Sequence, residues 1–353
     1  MMRASLTFFQ EGIEDLRNFI NGIEKTSNLL KSKYNKESPI QEYLFRLEDF
    51  QEHFKTFHIK QTIYNYKTII ISLYGLLESF VETLIKSYLE LLSHIISTYG
   101  ELPEEILKNH FNKSAELIQR IDSLPKYQHL KKEDVIKNLN KCIETPTSYT
   151  LNIDAYTHHT ANFKHDIIVQ FFKQVGIEIS NNIREEQPFK EYLTEVYPEV
   201  EIPEQLNVLE KLNDLANRRN DVAHGAEINL LGTQDLLEYI RFVEAYGLSL
   251  YNIIYYETLV YEIRYNAIGL NDPKLIVNNE IICLELNNIP ITTGDTIVAY
   301  TSGRRRSFLY SDIKEIQVDR VEHQEVEAQE SIDVGIKVGF KAKDNQKFFL
   351  LKS

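Results

Sequence analysis

Apolar residues recur every three or four positions over the first three quarters of the chain, the period of amphipathic helices. This pattern predicts helices over residues 5–34, 40–58, 60–99, 103–121, 133–142, 163–176, 189–196, 203–224 and 234–263. The helix over 60–99 is long and almost wholly apolar, and it stops at Gly100, a residue favoured just after helix ends. Residues 145–160 are polar and contain Pro146, which indicates a loop that returns the chain to the helical bundle.

The hydrophobic period changes near residue 267. Short β-branched and aromatic runs, bounded by Gly, Asp and Asn, predict strands over residues 275–278, 281–286, 296–301, 307–311, 313–319, 333–340 and 347–351. The acidic stretch 322–330 lacks alternation and is expected to be a long solvated loop. The fold class is therefore mainly α, a multi-helix bundle over residues 1–266 followed by a small all-β domain, a barrel or a sandwich, over residues 267–353.

Composition narrows the possible functions. The 353 residues carry 39 basic and 52 acidic side chains, a net charge of −13, which excludes a protein that coats nucleic acid through bulk charge. The two cysteines are far apart, and the chain begins without an apolar run of signal-peptide length. The most apolar stretch, residues 68–96, has four charged side chains, too costly for a lipid-facing helix. We expect a soluble, cytoplasmic protein with no membrane partner.

A charged residue interrupts the apolar face of the helix predicted over 203–224. With Val208 at 0° on a helical wheel, the apolar residues fall between about −40° and +100°, and Arg219 lies at about 20°. The apolar residues on this stripe are Leu209, Leu212, Leu215, Ala216, Val222 and Ala223. An unpaired guanidinium there would cost several kcal/mol, so Arg219 requires a carboxylate partner, a water-lined cleft or an anionic ligand.

Other polar residues flank this stripe. Asn220 and His224 follow on one edge at about 120° and 160°, and Arg218 stands on the other at about −80°. Gly225 directly after His224 predicts the helix end and places the imidazole in the last turn. An arginine, an asparagine and a terminal histidine thus lie near one helix end. Each of them alone is common as a structural ion pair or a helix cap.

The whole segment 217–225 reads N-R-R-N-D-V-A-H-G and resembles the signature of the HEPN superfamily of helical ribonucleases. That signature is an Arg followed after four to six residues by His, commonly with Asn directly after the Arg. Arg219 gives a spacing of four, and Arg218, with a spacing of five, is the alternative register. The resemblance covers about residues 60–265, is closest to the large HEPN group with RiboL-PSP-type members, and makes residues 1–58 an extension.

A second part of the resemblance lies on the long helix. Glu82 and Lys86 form a Glu-x-x-x-Lys pair similar to the acidic-basic helix motif of many HEPN proteins. Glu78 lies at the border of the apolar face and is our first candidate for the carboxylate that neutralises Arg219, with Glu82 the second. The alternative is a solvated charge strip on a core helix.

The remaining candidate residues have weaker patterns. His158, His159 and His165 could form a metal cluster, but no carboxylate–histidine helix motif accompanies them, so we interpret the adjacent pair His158 and His159 as surface residues. Arg304, Arg305 and Arg306 follow Gly303 and form either a phosphate-contacting tip or a solvated turn. Metalloprotease, serine-hydrolase, P-loop and dinucleotide motifs do not occur.

The resemblance implies a metal-independent endoribonuclease that needs no cofactor. RNA supplies its own 2′-OH nucleophile, His224 would transfer a proton, and Arg219 and Asn220 would hold the phosphate. Family members are typically homodimers in which two such helices face each other, and many act as toxins or antiphage effectors with an inhibitor or antitoxin partner. The alternative is a non-catalytic dimeric scaffold in which Arg219 is locked to Glu78.

Overall fold

The computed structural model describes residues 2–31, 41–159, 161–180, 182–198, 208–225, 229–302, 307–327 and 331–352. Of residues 30, 41–49 and 56 it describes the backbone alone. The chain divides into two compact units. The first comprises Met1–Ser93 with Ser97–Tyr255, and the second comprises His94–Ile96 with Tyr256–Ser353.

Eight α-helices lie in the described residues. They are α1 Met2–Lys31, α2 Gln41–Ile95, α3 Glu104–Arg120, α4 Lys132–Glu144, α5 His165–Lys173, α6 Gln187–Val196, α7 Glu210–His224 and α8 Thr233–Tyr265. Most of the predicted helices agree with these bounds to within three residues. The helix predicted from residue 203 begins at Glu210, and residues 203–207 lie outside the described part of the chain.

The predicted division of α2 into two helices at residue 59 is wrong. The helix is continuous over 55 residues because no Gly or Pro interrupts it near that point. The Thr62 hydroxyl donates to the carbonyl of His58 at 2.9 Å, a bond within the helix that spans the predicted break. The composition of the sequence changes there from polar to apolar. That change affects what the side chains contact, and the helical backbone continues through it.

The predicted loop over residues 145–160 is also wrong in part. It contains two short 3₁₀ helices, Pro146–Ser148 and Ile153–Thr157. Tyr156 anchors the second, because its ring is fully buried and its hydroxyl donates to the carbonyl of Ile106 on α3 at 2.7 Å. The polar composition of the segment therefore concealed an anchoring core residue.

The core of the helical unit includes a close approach between α1 and α8. The fully buried Phe9 ring stacks on Phe80, with ring centroids 4.2 Å apart. A Cβ atom added at Gly247 would lie 2.5 Å from Cζ of Phe9, so only a glycine fits there without displacement of the ring. Helix α2 supplies further buried side chains to this core, including Leu73, Tyr74 and Leu77.

One segment of α2, Phe57–Ile95, is long and apolar enough by composition to cross a membrane, with a mean hydropathy of 1.6 over its most apolar window. Half of that window is buried inside the fold. A core helix of a bundle has this same combination of apolar composition and burial.

The second unit is built from short strands. They are β1 Ile268–Gly269, β2 Leu275–Val277, β3 Ile281–Asn287, β4 Ile291–Thr292, β5 Thr296–Tyr300, β6 Phe308–Asp312, β7 Glu315–Val318, β8 Val321–His323, β9 Glu325–Val326, β10 Ser331–Lys337 and β11 Lys347–Leu351. One antiparallel sheet has the order β1-β11-β5-β6, a second has the order β2-β3-β10-β7-β8, and β4 pairs with β9.

The two larger sheets share one hydrophobic core. Alternate residues of β3 and β10, such as Leu284 and Ile336, pack with Ile297 of β5 and Leu350 of β11. Two sheets that bury their inner faces together form a sandwich-like arrangement. The predicted fold class is confirmed, a mainly helical domain followed by a small β domain.

The acidic stretch predicted as a loop over 322–330 begins instead with strand structure. Strand β8 and strand β9 occupy its first residues, and residues 328–330 lie outside the described part. The turn before β8 explains the difference. Asp319 and Arg320 have φ values of 51° and 68°, and they join β7 to β8 by a two-residue hairpin of the type whose left-handed backbone matches strand twist.

Candidate functional site

Helix α7 presents the signature residues at its C-terminal end. Leu212, Leu215 and Val222 are buried and fix its orientation. Gly225 has φ 69° and ψ 24°, the left-handed conformation that terminates helices, so the predicted helix end at His224 is confirmed. Ala223, which the wheel places on the core stripe, is exposed, because the last turn extends beyond the core.

Arg218 is locked into the protein. Its Nε donates to Oδ2 of Asp214 at 2.6 Å, and its Nη1 donates to the hydroxyl of Tyr66 and the carbonyl of Asn229, both at 3.0 Å. Burial opposes the charged form, but hydrogen bonds with Tyr66, Tyr239 and Asp214 raise the pKa of Arg218 above its ordinary value. The hydrogen-bond donors of Arg218 therefore bind the protein's own residues.

Arg219 has a different environment. Its guanidinium lies over the Tyr74 ring, 5.4 Å from the ring centroid, and Nη1 donates a long bond of 3.4 Å to Oδ1 of Asn220. The side chain is half-buried. Within the described residues no carboxylate forms an ion pair with it, so the expected pairing with Glu78 or Glu82 is wrong.

The physical reason is that Tyr74 engages both Arg219, through its ring, and Glu78, through its hydroxyl. The Tyr74 hydroxyl donates to Oε1 of Glu78 at 3.5 Å and accepts the backbone N–H of Phe163 at 2.7 Å. Burial raises the pKa of Tyr74 to about 12, which keeps the phenol protonated at neutral pH and able to do both. The cation of Arg219 therefore rests on an aromatic face with its charge uncompensated by a described acid.

Asn220 is oriented by an asparagine distant in sequence. Nδ2 of Asn162 donates to Oδ1 of Asn220 at 2.7 Å, and the same oxygen receives the long bond from Arg219. An amide whose oxygen is engaged in this way has its Nδ2 donors left for other acceptors. No acceptor in the described residues takes them.

Glu82 belongs to a separate ion-pair group, and its expected pairing with Lys86 is wrong. Oε1 of Glu82 lies 2.6 Å from Nζ of Lys126 and 2.9 Å from Nε2 of His159. Lys86 is 2.6 Å from Oδ1 of Asp154 instead. Burial works against its charge, yet the bonds from His159 and Lys126 lower the pKa of Glu82.

His159 is a positively charged member of this group. Its Nδ1 bonds the carbonyl of Ala161 at 3.0 Å, and its Nε2 faces the carboxylates of Glu82 at 2.9 Å and Glu78 at 3.8 Å. A ring with acceptors at both nitrogens is an imidazolium. Burial alone would lower the pKa of His159, but Glu82 and the carbonyl raise it above 6.5.

The interpretation of the adjacent His158 and His159 as surface residues is therefore wrong for His159. His165 is buried and bonds the hydroxyl of Tyr246 at 3.1 Å. The His159 side chain is 16% exposed, whereas His158 is half-buried. In the described parts of the chain no group of three or more His, Cys, Asp and Glu residues has an arrangement that could hold a metal ion.

His224 lies in the last turn of α7 with its side chain exposed. Within residues 208–225 and the other described segments, its imidazole has no hydrogen bond or ion pair. An unengaged imidazole at an exposed helix end can exchange protons with a bound ligand. Arg304, Arg305 and Arg306, the other predicted RNA contacts, lie outside the described residues.

Sequence reasoning missed two residues that contact the Arg219–Asn220 pair, Tyr74 and Asn162. A weak signal existed for Tyr74, because it precedes Glu78 by four residues and shares its helix face. Asn162 lies 58 residues before Asn220 in a segment without a period, and its contact depends on tertiary structure.

The helical bundle, with an Arg-Asn pair and a terminal histidine on α7, resembles the HEPN class of proteins. The profile of the RiboL-PSP-HEPN family matches residues 40–256, more than half of the chain, and the chain belongs to this HEPN family. Comparison with curated proteins and with solved structures gave no match. The β domain lies beyond the matched residues.

Proposed function

We propose that the protein is a metal-independent endoribonuclease whose centre consists of Arg219, Asn220 and His224. The observation that carries the proposal is the contrast between two adjacent arginines. Arg218 is held by Asp214, whereas Arg219 has no carboxylate partner within the described residues. A half-buried cation without a counter-charge is suited to an anionic ligand such as a phosphodiester. The contrast also favours Arg219 over Arg218 as the motif arginine.

The chemistry needs no external nucleophile. The ribose 2′-oxygen attacks the adjacent phosphorus, its proton passes to a base, and the bond from phosphorus to the 5′-oxygen breaks as that oxygen gains a proton. The products are a 2′,3′-cyclic phosphate and a 5′-hydroxyl. His224 performs one of the two proton transfers, and Arg219 stabilises the charge that builds up on the phosphorane oxygens. The Nδ2 donors of Asn220 bind a second phosphate oxygen.

A second proton-transfer group is required, and a homodimer with two facing α7 helices would supply the second His224. An exposed apolar stripe on α2 supports dimerisation. Phe50, Phe57, Tyr64 and Ile71 are spaced by seven residues and are 53%, 43%, 63% and 48% exposed. Residues seven apart share a helix face, and this stripe is about 30 Å long. An exposed apolar stripe of that length is typical of a protein–protein interface.

The biological setting rests on the family resemblance. It supports a cytoplasmic toxin or antiphage effector, restrained by an inhibitor or antitoxin protein. For the alternative function, a non-catalytic dimeric scaffold, we expected Arg219 in a salt bridge to Glu78. The described residues contain no such ion pair, so the nuclease is the function that the geometry supports better.

The test is incubation of wild type and His224→Ala with tRNA and mRNA in excess chelator, followed by end-group analysis. We expect wild type to leave cyclic phosphates, and the variant to lose about 10²–10⁴-fold in rate with an unchanged Tm. Cleavage that stops in chelator, or that survives in His224→Ala, would contradict the proposal.

The two arginines provide a matched pair of variants. Arg219→Lys should lower kcat by about 10²–10³-fold with little change in Tm, because a lysine lacks the planar donors that hold a phosphate. Arg218→Lys should lower Tm, because a lysine cannot reach Asp214, Tyr66 and the carbonyl of Asn229 together. Equal effects of the two changes on kcat would refute the assignment of Arg219.

A further inference from the structure

A second polar cleft lies between α3 and α5 of the helical unit. It has a volume of about 600 Å³ and is bounded by both helices and by the residues that precede α5. Ligand sites of about 300–1,000 Å³ accommodate molecules of nucleotide size. None of the residues assigned to catalysis lines it.

The cleft is lined by positive charge, although the whole chain has a negative net charge. Lys113 and Arg120 of α3 line it together with one acid, Glu116. Glu116 reaches Lys113 at 3.7 Å, near the limit of an ion pair, and the guanidinium of Arg120 has no carboxylate partner in the described residues. Both cations act on His158, whose pKa is lowered by burial first, then by Arg120, and less by His159 and Lys113, while Glu116 opposes the shift. The cleft is locally cationic in a chain of charge −13.

The walls of the cleft suit a nucleobase. The rings of His158, His159 and Phe171 line it, and His159 meets the edge of Phe171 with centroids 5.8 Å apart. The amides of Gln119 and Gln170 line it as well. Unpaired RNA bases are recognised by stacking on aromatic and histidine rings and by hydrogen bonds to their edges.

The cleft is connected to the Arg219 centre through two short chains of contacts. Nε2 of His159 lies 3.8 Å from Glu78, which accepts from the same Tyr74 that carries Arg219. Ala161 lines the cleft, and its neighbour Asn162 bonds Asn220. These contacts place the cleft close to the Arg219 centre within the same subunit.

We propose that this cleft is an RNA subsite, in which Lys113 and Arg120 hold a backbone phosphate of single-stranded RNA and the ring wall receives an adjacent unpaired base. The inference rests on the proposed nuclease function, because the subsite positions a strand for cleavage at Arg219. It selects unpaired RNA, since a base inside a duplex cannot reach the ring wall.

The experiment measures RNA binding without cleavage. A fluorescein-labelled single-stranded 12-mer is titrated with full-length His224→Ala in EDTA, and anisotropy is recorded at several salt concentrations. The cleft variant adds Lys113→Gln and Arg120→Gln to this protein. Its matched control adds Lys108→Gln and Lys190→Gln, which remove two exposed cations paired with Glu104 and Glu185 outside the cleft.

We expect the cleft variant to bind the RNA at least about tenfold more weakly than the control, because charge-assisted hydrogen bonds are lost. Its slope of log affinity against log salt should fall by about 0.7, the value for one phosphate of a single strand. A duplex of the same sequence should show no such difference. Equal affinities and slopes in the two variants, with unchanged Tm, would overturn the proposal.

A free nucleotide has the same phosphate and base, so calorimetric titration with adenosine 5′-monophosphate forms a second arm. Nucleotide binding that depends on Lys113 and Arg120, with RNA affinity unaffected, would overturn the RNA assignment.

Cleavage by wild type separates the two proposals. If wild type cuts no RNA but binding depends on the cleft, the catalytic assignment fails and the cleft stands. If wild type cuts RNA but its RNA binding does not depend on the cleft, the subsite proposal fails and the catalytic assignment stands.

Discussion

His110 is a fully buried histidine of α3 that is held as a neutral ring. Its Nε2 accepts the backbone N–H of Asn152 at 3.0 Å, so the single ring proton lies on Nδ1, which faces the Tyr99 hydroxyl at 3.0 Å. Burial lowers the pKa of His110 from 6.5 to about 4. As the pH falls, His110 is therefore protonated at a higher pH in the unfolded chain than in the folded one.

The sign and size of the effect follow from these two pKa values. Between pH 6.5 and 4 the unfolded chain binds a proton at His110 that the folded chain does not, so this residue contributes stability that is lost as the pH falls. The full interval from 6.5 to about 4 corresponds to about 3 kcal/mol at 1.36 kcal/mol per pH unit. About 2 kcal/mol of it is lost between pH 7.5 and pH 5.

The assay is urea unfolding of wild type and His110→Gln at several pH values between 5 and 7.5. The variant loses two hydrogen bonds and is less stable at pH 7.5, but position 110 no longer titrates. The stability difference between the two proteins should therefore shrink by about 2 kcal/mol on acidification to pH 5, with unchanged m-values. A difference that stays constant across this range would refute the neutral buried imidazole.

Four further substitutions test other parts of the helical unit. His159→Gln should have the opposite pH dependence, because the raised pKa of His159 gives stability that is complete below pH 6.5 and lost as the pH rises; a urea-unfolding deficit that grows with pH would contradict this. Gly247→Ala should destabilise by about 1–3 kcal/mol through overpacking. Gly75→Ala, with open space around it, should stabilise by about 0.5–1 kcal/mol in the same unfolding assay, and equal effects would refute the close packing. Asn162→Ala should lower kcat for RNA cleavage about fivefold with Tm little changed, because Asn220 loses its orienting bond.

The helices were predictable because their period is local. Helix α7 shows this, since its buried leucines and Gly225 define both its face and its end. The break assigned at residue 59 failed because a change in composition was treated as a change in backbone conformation. The prediction missed strand β8 because no glycine marks the tight hairpin at Asp319 and Arg320 in the sequence.

The candidate centre was predictable only in its contiguous part. The spacing of Arg219, Asn220 and His224 is visible in the sequence, but the partner of Arg219 is not. A carboxylate was expected because charge complementarity is the simplest solution for a cation on an apolar face. The structure uses the Tyr74 ring instead, an interaction that leaves no signature at a fixed sequence spacing.

The hydroxyl of Tyr74 has a further consequence. The ring supports Arg219, while the oxygen alone fastens the backbone at Phe163, which follows the asparagine that aligns Asn220. Removal of one atom, in Tyr74→Phe, would keep the aromatic ring beneath the cation and remove the hydrogen bond that holds the backbone N–H of Phe163. That change separates the support of Arg219 from the support of Asn220, the two residues proposed to hold the phosphate, and alters neither of them.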